Sequence, residues 1–107
     1  MYVFGGYTNS KEPGVKKYVE SSEKMSFSDG KHEWKMIAPM AVPRSGAFSW
    51  VDKKNKKIYV AGGIKADDNQ VLNTTEIYDV ASNTWTQGRK FKLIFYTYLV
   101  NLFNFLN

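Results

Sequence analysis

The chain has 107 residues, a net charge of +5, no cysteine and one histidine. That length bounds it at one domain or less, and 43% apolar with 16% aromatic residues argues against disorder. The lack of cysteine excludes disulfides and thiolate metal sites and fits a reducing, cytoplasmic setting. No basic stretch followed by an apolar one precedes the first strand pattern, so no secretory leader is expected.

Taken in chain order, Tyr2-Val3-Phe4 predicts a strand that ends at Gly5-Gly6. A loop over residues 7–17 follows. Residues 23–28 predict the next strand, Asp29-Gly30-Lys31 a turn, and residues 34–36 a strand opening on Trp34. Ala47-Phe48-Ser49-Trp50-Val51 reads as a strand. Lys53-Lys54-Asn55-Lys56-Lys57 reads as the turn of an antiparallel hairpin, because asparagine in a short polar run between apolar segments is turn chemistry. A basic run of this kind attracts nucleic acid in other settings and resembles a minimal nuclear-import patch. The solvated turn is the preferred reading, and no nucleic-acid partner is expected. Ile58-Tyr59-Val60-Ala61 is apolar at consecutive positions, which predicts a strand covered on both faces. Gly62-Gly63 ends it, and a second loop runs over residues 64–73. Thr75-Glu76-Ile77-Tyr78-Asp79 is a further strand, Ala81-Ser82-Asn83-Thr84 a tight turn, and Trp85 opens the last strand.

These elements are one pattern written twice. Gly5-Gly6 returns as Gly62-Gly63, Glu23 as Glu76 and Trp34 as Trp85, at offsets of 57, 53 and 51 residues. A period near 50 marks stacked units, and four antiparallel strands in that length make one propeller blade. The expected fold is all-β: about two four-stranded blades of an incomplete β-propeller. Residues 1–44 hold a partial blade, from its second strand to its fourth, residues 45–88 hold the second blade, and residues 89–107 form an atypical apolar tail.

The residues resemble kelch repeats. That pattern has a double glycine after an apolar strand, then Glu-x-Tyr-Asp, a spaced tryptophan, and a methionine and arginine before the next blade. The second copy supplies Gly62-Gly63, Glu76, Tyr78, Asp79 and Trp85. The first supplies Gly5-Gly6, Glu23, Trp34, Pro39-Met40 and Pro43-Arg44, and departs at the tyrosine-aspartate step, where Met25 and Phe27 stand. The resemblance covers roughly residues 2–88. The motif residues read as fold residues: glycines for close backbone approach, tryptophans to fill the space between sheets, and Arg44 to bond carbonyls or pair with a glutamate.

The resemblance implies a non-catalytic protein-interaction module. Many kelch propellers form the substrate-recognition end of adaptors for cullin-based ubiquitin ligases, with a BTB domain earlier in the chain. Others bind actin, which is the alternative reading. The implied partner is thus another protein, either a ligase substrate or actin. Some related propellers are copper oxidases whose site uses a cysteine-linked tyrosine, and the lack of cysteine leaves that branch without support. No cofactor or metal is expected. His32 reads as a solvated residue beside a turn. Asp67-Asp68 lies in a polar loop without the regular oxygen ligands calcium needs. Asn73-Thr74-Thr75 is a glycosylation sequon that would go unused in the absence of secretion.

Two antiparallel strands put the loop entering the first and the loop leaving the second on one rim. Long loops on a rigid scaffold are the usual place for recognition, so the partner-facing set is Tyr7, Asn9, Arg44, Ser45, Lys65 and Asp67. Repeats need neighbours for stability, so the blade faces are expected to meet the remaining blades of a longer parent chain or, by self-association, other copies. For the tail three readings stand. It is a misread or truncated end, a segment covering the open blade face, or a membrane span, although it falls short of the roughly 20 apolar residues a span needs.

Overall fold

A computed structural model describes residues 1–9, 11–14, 16–65 and 70–92. Every regular element in them is a strand, and seven of the eleven strands form two blades. Blade 1 contains β1 (Tyr2–Phe4), β4 (Ser22–Ser28) and β5 (Lys31–Ile37), in the order β1-β4-β5. Blade 2 contains β7 (Phe48–Asp52), β8 (Lys57–Ala61), β10 (Thr75–Asp79) and β11 (Thr84–Gln87), in the order β11-β10-β8-β7. All neighbours are antiparallel. By position in the repeat, β1, β4 and β5 correspond to β8, β10 and β11. Among the described residues, blade 1 has no counterpart of β7.

The register reproduces the repeat in space. Val3 pairs with Glu23, which pairs with Met36. Val60 pairs with Glu76, which pairs with Gln87. Met25 sits opposite Trp34 as Tyr78 sits opposite Trp85. Ser26, rather than Phe27, therefore occupies the position of Asp79.

Because strand side chains alternate between faces, each blade has a front and a back. The back of blade 1 presents Tyr2 and Phe4. The front of blade 2 presents Ile58, Tyr78 and Trp85. These meet in the core, with Ile37 and Val80 completing the cluster. Phe4 stands edge-on to Trp85 with centroids 5.3 Å apart, and Tyr78 lies 5.1 Å from Trp85. Each such aromatic pair contributes about 0.5–1.5 kcal/mol beyond area burial.

Two expectations need correction here. Trp85 fills the space between the sheets, but Trp34 faces outward on the front of blade 1 and is 45% exposed. β8 is covered on one face and only in part on the other. Ile58 packs in the cluster with Tyr2 and Phe4, and Val60 is buried. On the other face Ala61 is buried, whereas Tyr59 is half-buried on the wall of a groove.

The turns carry the required backbone. Asp29, Lys56 and Asn83 adopt positive φ of 52°, 52° and 53°. In the lysine-rich turn the Asn55 side chain and then its backbone N–H bond the Asp52 carboxylate, which holds that carboxyl below its ordinary value.

Candidate functional site

The connector between the blades leads into β6 (Arg44–Ser45), which pairs with β9 (Ile64–Lys65). Arg44 is opposite Lys65 and Ser45 opposite Ile64. The loop entering the first strand of blade 2 and the loop leaving the second thus run side by side. The loop after blade 1's double glycine joins the same rim, since the Gly6 N–H donates to the Arg44 carbonyl at 3.0 Å. That loop contains its own ladder, β2 (Tyr7–Asn9) against β3 (Lys16–Tyr18).

Arg44, expected among the partner-facing residues, does not face solvent. Its side chain is 0% exposed and serves as the anchor of the rim. One guanidinium nitrogen donates to the carbonyls of Gly62 at 2.9 Å and Thr74 at 3.1 Å. The other donates to the Thr74 hydroxyl at 3.2 Å and to Glu76 Oε2 at 2.8 Å. The remaining carboxylate oxygen of Glu76 accepts the Ala41 N–H at 2.6 Å. A buried charge pair of this kind persists only when its leftover donors and acceptors are satisfied, and here the backbone supplies nearly all of them. Arg44 Nε alone lacks a partner.

One glycine of each pair is explained by the close approach of the same β6 strand. Gly5 has φ of +64°, and a Cβ there would lie 2.4 Å from the Arg44 carbonyl oxygen. A Cβ on Gly63 would lie 2.8 Å from the Ser45 carbonyl oxygen. Side chains at either position would force the connector away from the blade.

A second set of bonds ties the connector to the front of blade 2. The Trp85 indole N–H donates to the Ala38 carbonyl at 2.7 Å. Asn83 Oδ1 accepts both the Ala38 N–H at 2.9 Å and the Tyr78 hydroxyl at 2.8 Å. Burial first, then the charges of Tyr2 and Asp79, raise the Tyr78 hydroxyl above its ordinary pKa.

Of the sequence-predicted partner-facing residues, Tyr7 is exposed, and Ser45 and Lys65 are half-buried on the β6–β9 ladder. Asn9 pairs with Lys16 through the backbone of β2, and its side chain is not described. Asp67 lies outside the described residues. His32 is exposed on β5 and tilts against Phe27, with ring centroids 4.9 Å apart. Among the described residues no three His, Cys, Asp or Glu side chains converge, and no helix is long and apolar enough to cross a membrane.

Sequence reasoning missed two features. The β2–β3 ladder was legible in Pro13-Gly14, a turn dipeptide flanked by Tyr7-Thr8 and Tyr18. The role of Asn83 had only the weak signal of an asparagine in a turn.

The back of blade 2 carries a groove of about 760 Å³. Trp50 and Tyr59 stack along it, with centroids 5.0 Å apart and planes 7° from parallel. Ile77 and Phe91 add apolar wall, and Arg89 and Lys90 add charge.

Residues 54–92 match the family model for the kelch motif. Kelch-like protein 40 of Xenopus tropicalis is 36% identical over 91 residues, covering 85% of this chain and 13% of that protein. An F-box/kelch-repeat protein of Arabidopsis thaliana is 32% identical over 71 residues, covering 66% of this chain and 18% of the relative. The chain thus spans less than a fifth of the length of these relatives. A fungal alcohol oxidase of the AA5 family, solved with copper, superposes with a TM-score of 0.66 over 85% of this chain and 19% of its own. At 20% identity that likeness bears on the fold alone. By motif, relatives and blade geometry together, the chain belongs to the kelch-repeat proteins.

Proposed function

We propose that the chain is a non-catalytic protein-interaction module, part of a recognition propeller of the kind that presents substrates to cullin-based ubiquitin ligases. The observation that carries this reading is the Arg44 anchor. It fixes the bases of two long loops on one rim, and among the described residues of those loops Tyr7, Lys11 and Gln70 are exposed. Binding sites are commonly built this way, with variable loops held by a rigid scaffold. In this reading Tyr7, Asn9, Ser45, Lys65 and Asp67 face the partner, and Arg44 positions them from beneath.

The test compares partners captured by the chain with those captured by a Tyr7→Ala/Lys65→Glu variant of unchanged circular dichroism. Bound proteins are quantified by mass spectrometry. At least one partner should fall about tenfold with the rim variant, a loss of about 1.4 kcal/mol. That partner should accumulate in cells when cullin activation is blocked. A partner set indifferent to the rim variant would count against the rim. Pelleting with actin filaments, lost in the variant, would move the chain to the cytoskeletal class.

A further inference from the structure

The internal repeat leaves this chain with one partly exposed face of each of the two kinds that already meet at its centre. In the central interface Tyr2 and Phe4 of the blade 1 back lie on the blade 2 front. On the blade 2 back, Tyr59 and Ala61 occupy the repeat positions of Tyr2 and Phe4, 57 residues on, and line the groove. On the blade 1 front, Val3 and Trp34 occupy the positions of Val60 and Trp85, and they are 47% and 45% exposed. Met36 beside them is 65% exposed. In the groove Ala61 and Thr75 are buried, and Trp50 is 49% exposed.

A front fits a back here. An isologous contact would instead place back on back or front on front, and neither pairing occurs within the chain. We propose that a second copy of this chain docks head to tail, its blade 1 front filling the blade 2 groove of the first. Charge agrees with this seating. The incoming front carries Glu23 at the position of Glu76, which takes a cation in the central interface. Arg44 stands ten residues after Trp34, and ten residues after Trp85 stands Phe95, so the arginine is not repeated. Arg89 and Lys90 on the groove wall supply the positive charge instead. Arg89 follows Trp85 by four residues, as Ala38 follows Trp34, which places it in the stretch that covers a neighbour's front. Heterologous contacts either close into rings or run on as filaments. With two blades per copy, a ring of about four to eight blades takes roughly two to four copies.

The test is the solution mass of the 107-residue chain by light scattering over a concentration series. The expected result is a whole-number multiple of 12.3 kDa. Trp50→Glu removes the back and Trp34→Glu the front, and each variant alone should be monomeric. An equimolar mixture should form a 1:1 dimer and nothing larger, because each variant keeps the face the other lost. A monomeric parent chain, or a mixture that stays monomeric, would overturn the proposal. So would association that survives both substitutions. A chain that is monomeric at full length but associates after deletion of residues 93–107 would show its own tail to be the occupant. Should either tryptophan variant unfold, Glu23→Lys and Arg89→Glu replace them. Each should weaken association roughly threefold to tenfold, and the pair mixed across the interface should restore it.

Discussion

Replacing Glu76 by glutamine keeps the shape of the buried clamp and removes its negative charge. Arg44 would then be a guanidinium with no exposed side-chain surface and no counter-ion, held by the Gly62 carbonyl, the Thr74 carbonyl, the Thr74 hydroxyl and at most a neutral amide oxygen. The attraction lost is about 6 kcal/mol for unit charges 2.8 Å apart at an effective dielectric of about 20. The three surviving bonds offset part of it. Measured removals of one partner from buried pairs cost about 3–5 kcal/mol. The glutamine also brings an amide donor to a site where both neighbours, the Arg44 nitrogen and the Ala41 N–H, are donors. A domain of this size has about 5–15 kcal/mol in total, so the loss is a large share. Urea unfolding followed by circular dichroism at fixed protein concentration reads it directly. With a slope of about 1.5 kcal/mol/M, the midpoint should fall by about 2–3 M. Arg44→Met combined with Glu76→Met should cost less than the sum of the single changes, with a coupling of about 1–3 kcal/mol. A midpoint shift below about 0.5 M for Glu76→Gln, at unchanged slope, would falsify the reasoning, since the charge would then have found solvent.

Gly5→Ala and Gly30→Ala separate backbone strain from collision. Both positions have positive φ, but only at Gly5 does a Cβ meet a backbone oxygen, and at Gly30 nothing lies within 4 Å. Gly30→Ala should cost about 1–2 kcal/mol, the left-handed penalty alone, and Gly5→Ala clearly more. Equal midpoints in urea would show that the connector yields freely. Asn83→Ala removes the acceptor shared by the Ala38 N–H and the Tyr78 hydroxyl and leaves an alanine at positive φ. A loss of about 2–4 kcal/mol is expected, and Asn83→Gly should recover only the backbone part. For Tyr78, the unfolded hydroxyl titrates near 10.0 and the folded one higher. The native state therefore holds its proton more tightly. This contribution is complete below pH 10 and is lost as pH rises through the folded value. The urea midpoint should drop as pH rises above 10 in the parent chain and drop less in Tyr78→Phe, and identical profiles would rule Tyr78 out as the source.

The strands of both blades were legible because their signals are local. Alternation, the double glycines and the spaced tryptophans each act within a few residues, and Thr75–Asp79 forms β10 with the bounds its sequence suggests. The direction in which Arg44 points was not legible. Its position on the rim follows from strand order, but its burial depends on Gly62, Thr74 and Glu76, which lie 18 to 32 residues away. An arginine in a polar stretch, Pro43-Arg44-Ser45, reads as exposed unless those partners are known. The exposure of Trp34 was hidden for a related reason. Its motif position matches that of Trp85, and the difference lies wholly in whether a neighbouring blade is present. Repeat motifs specify a face and leave open what covers it.

Arg44 accepts from Gly6 in one blade and donates to Gly62 in the next. A cut placed between residues 44 and 45 respects every long strand of both sheets, yet it severs the second blade from its own buried cation. The excised piece would keep Glu76 with nothing to neutralise it and would lose Ala38, which caps Trp85 and Asn83. The unit that could be transplanted, shuffled or duplicated intact therefore runs from connector to connector, beginning near Ala38. Its ends fall in the middle of what looks, by strand count alone, like a linker.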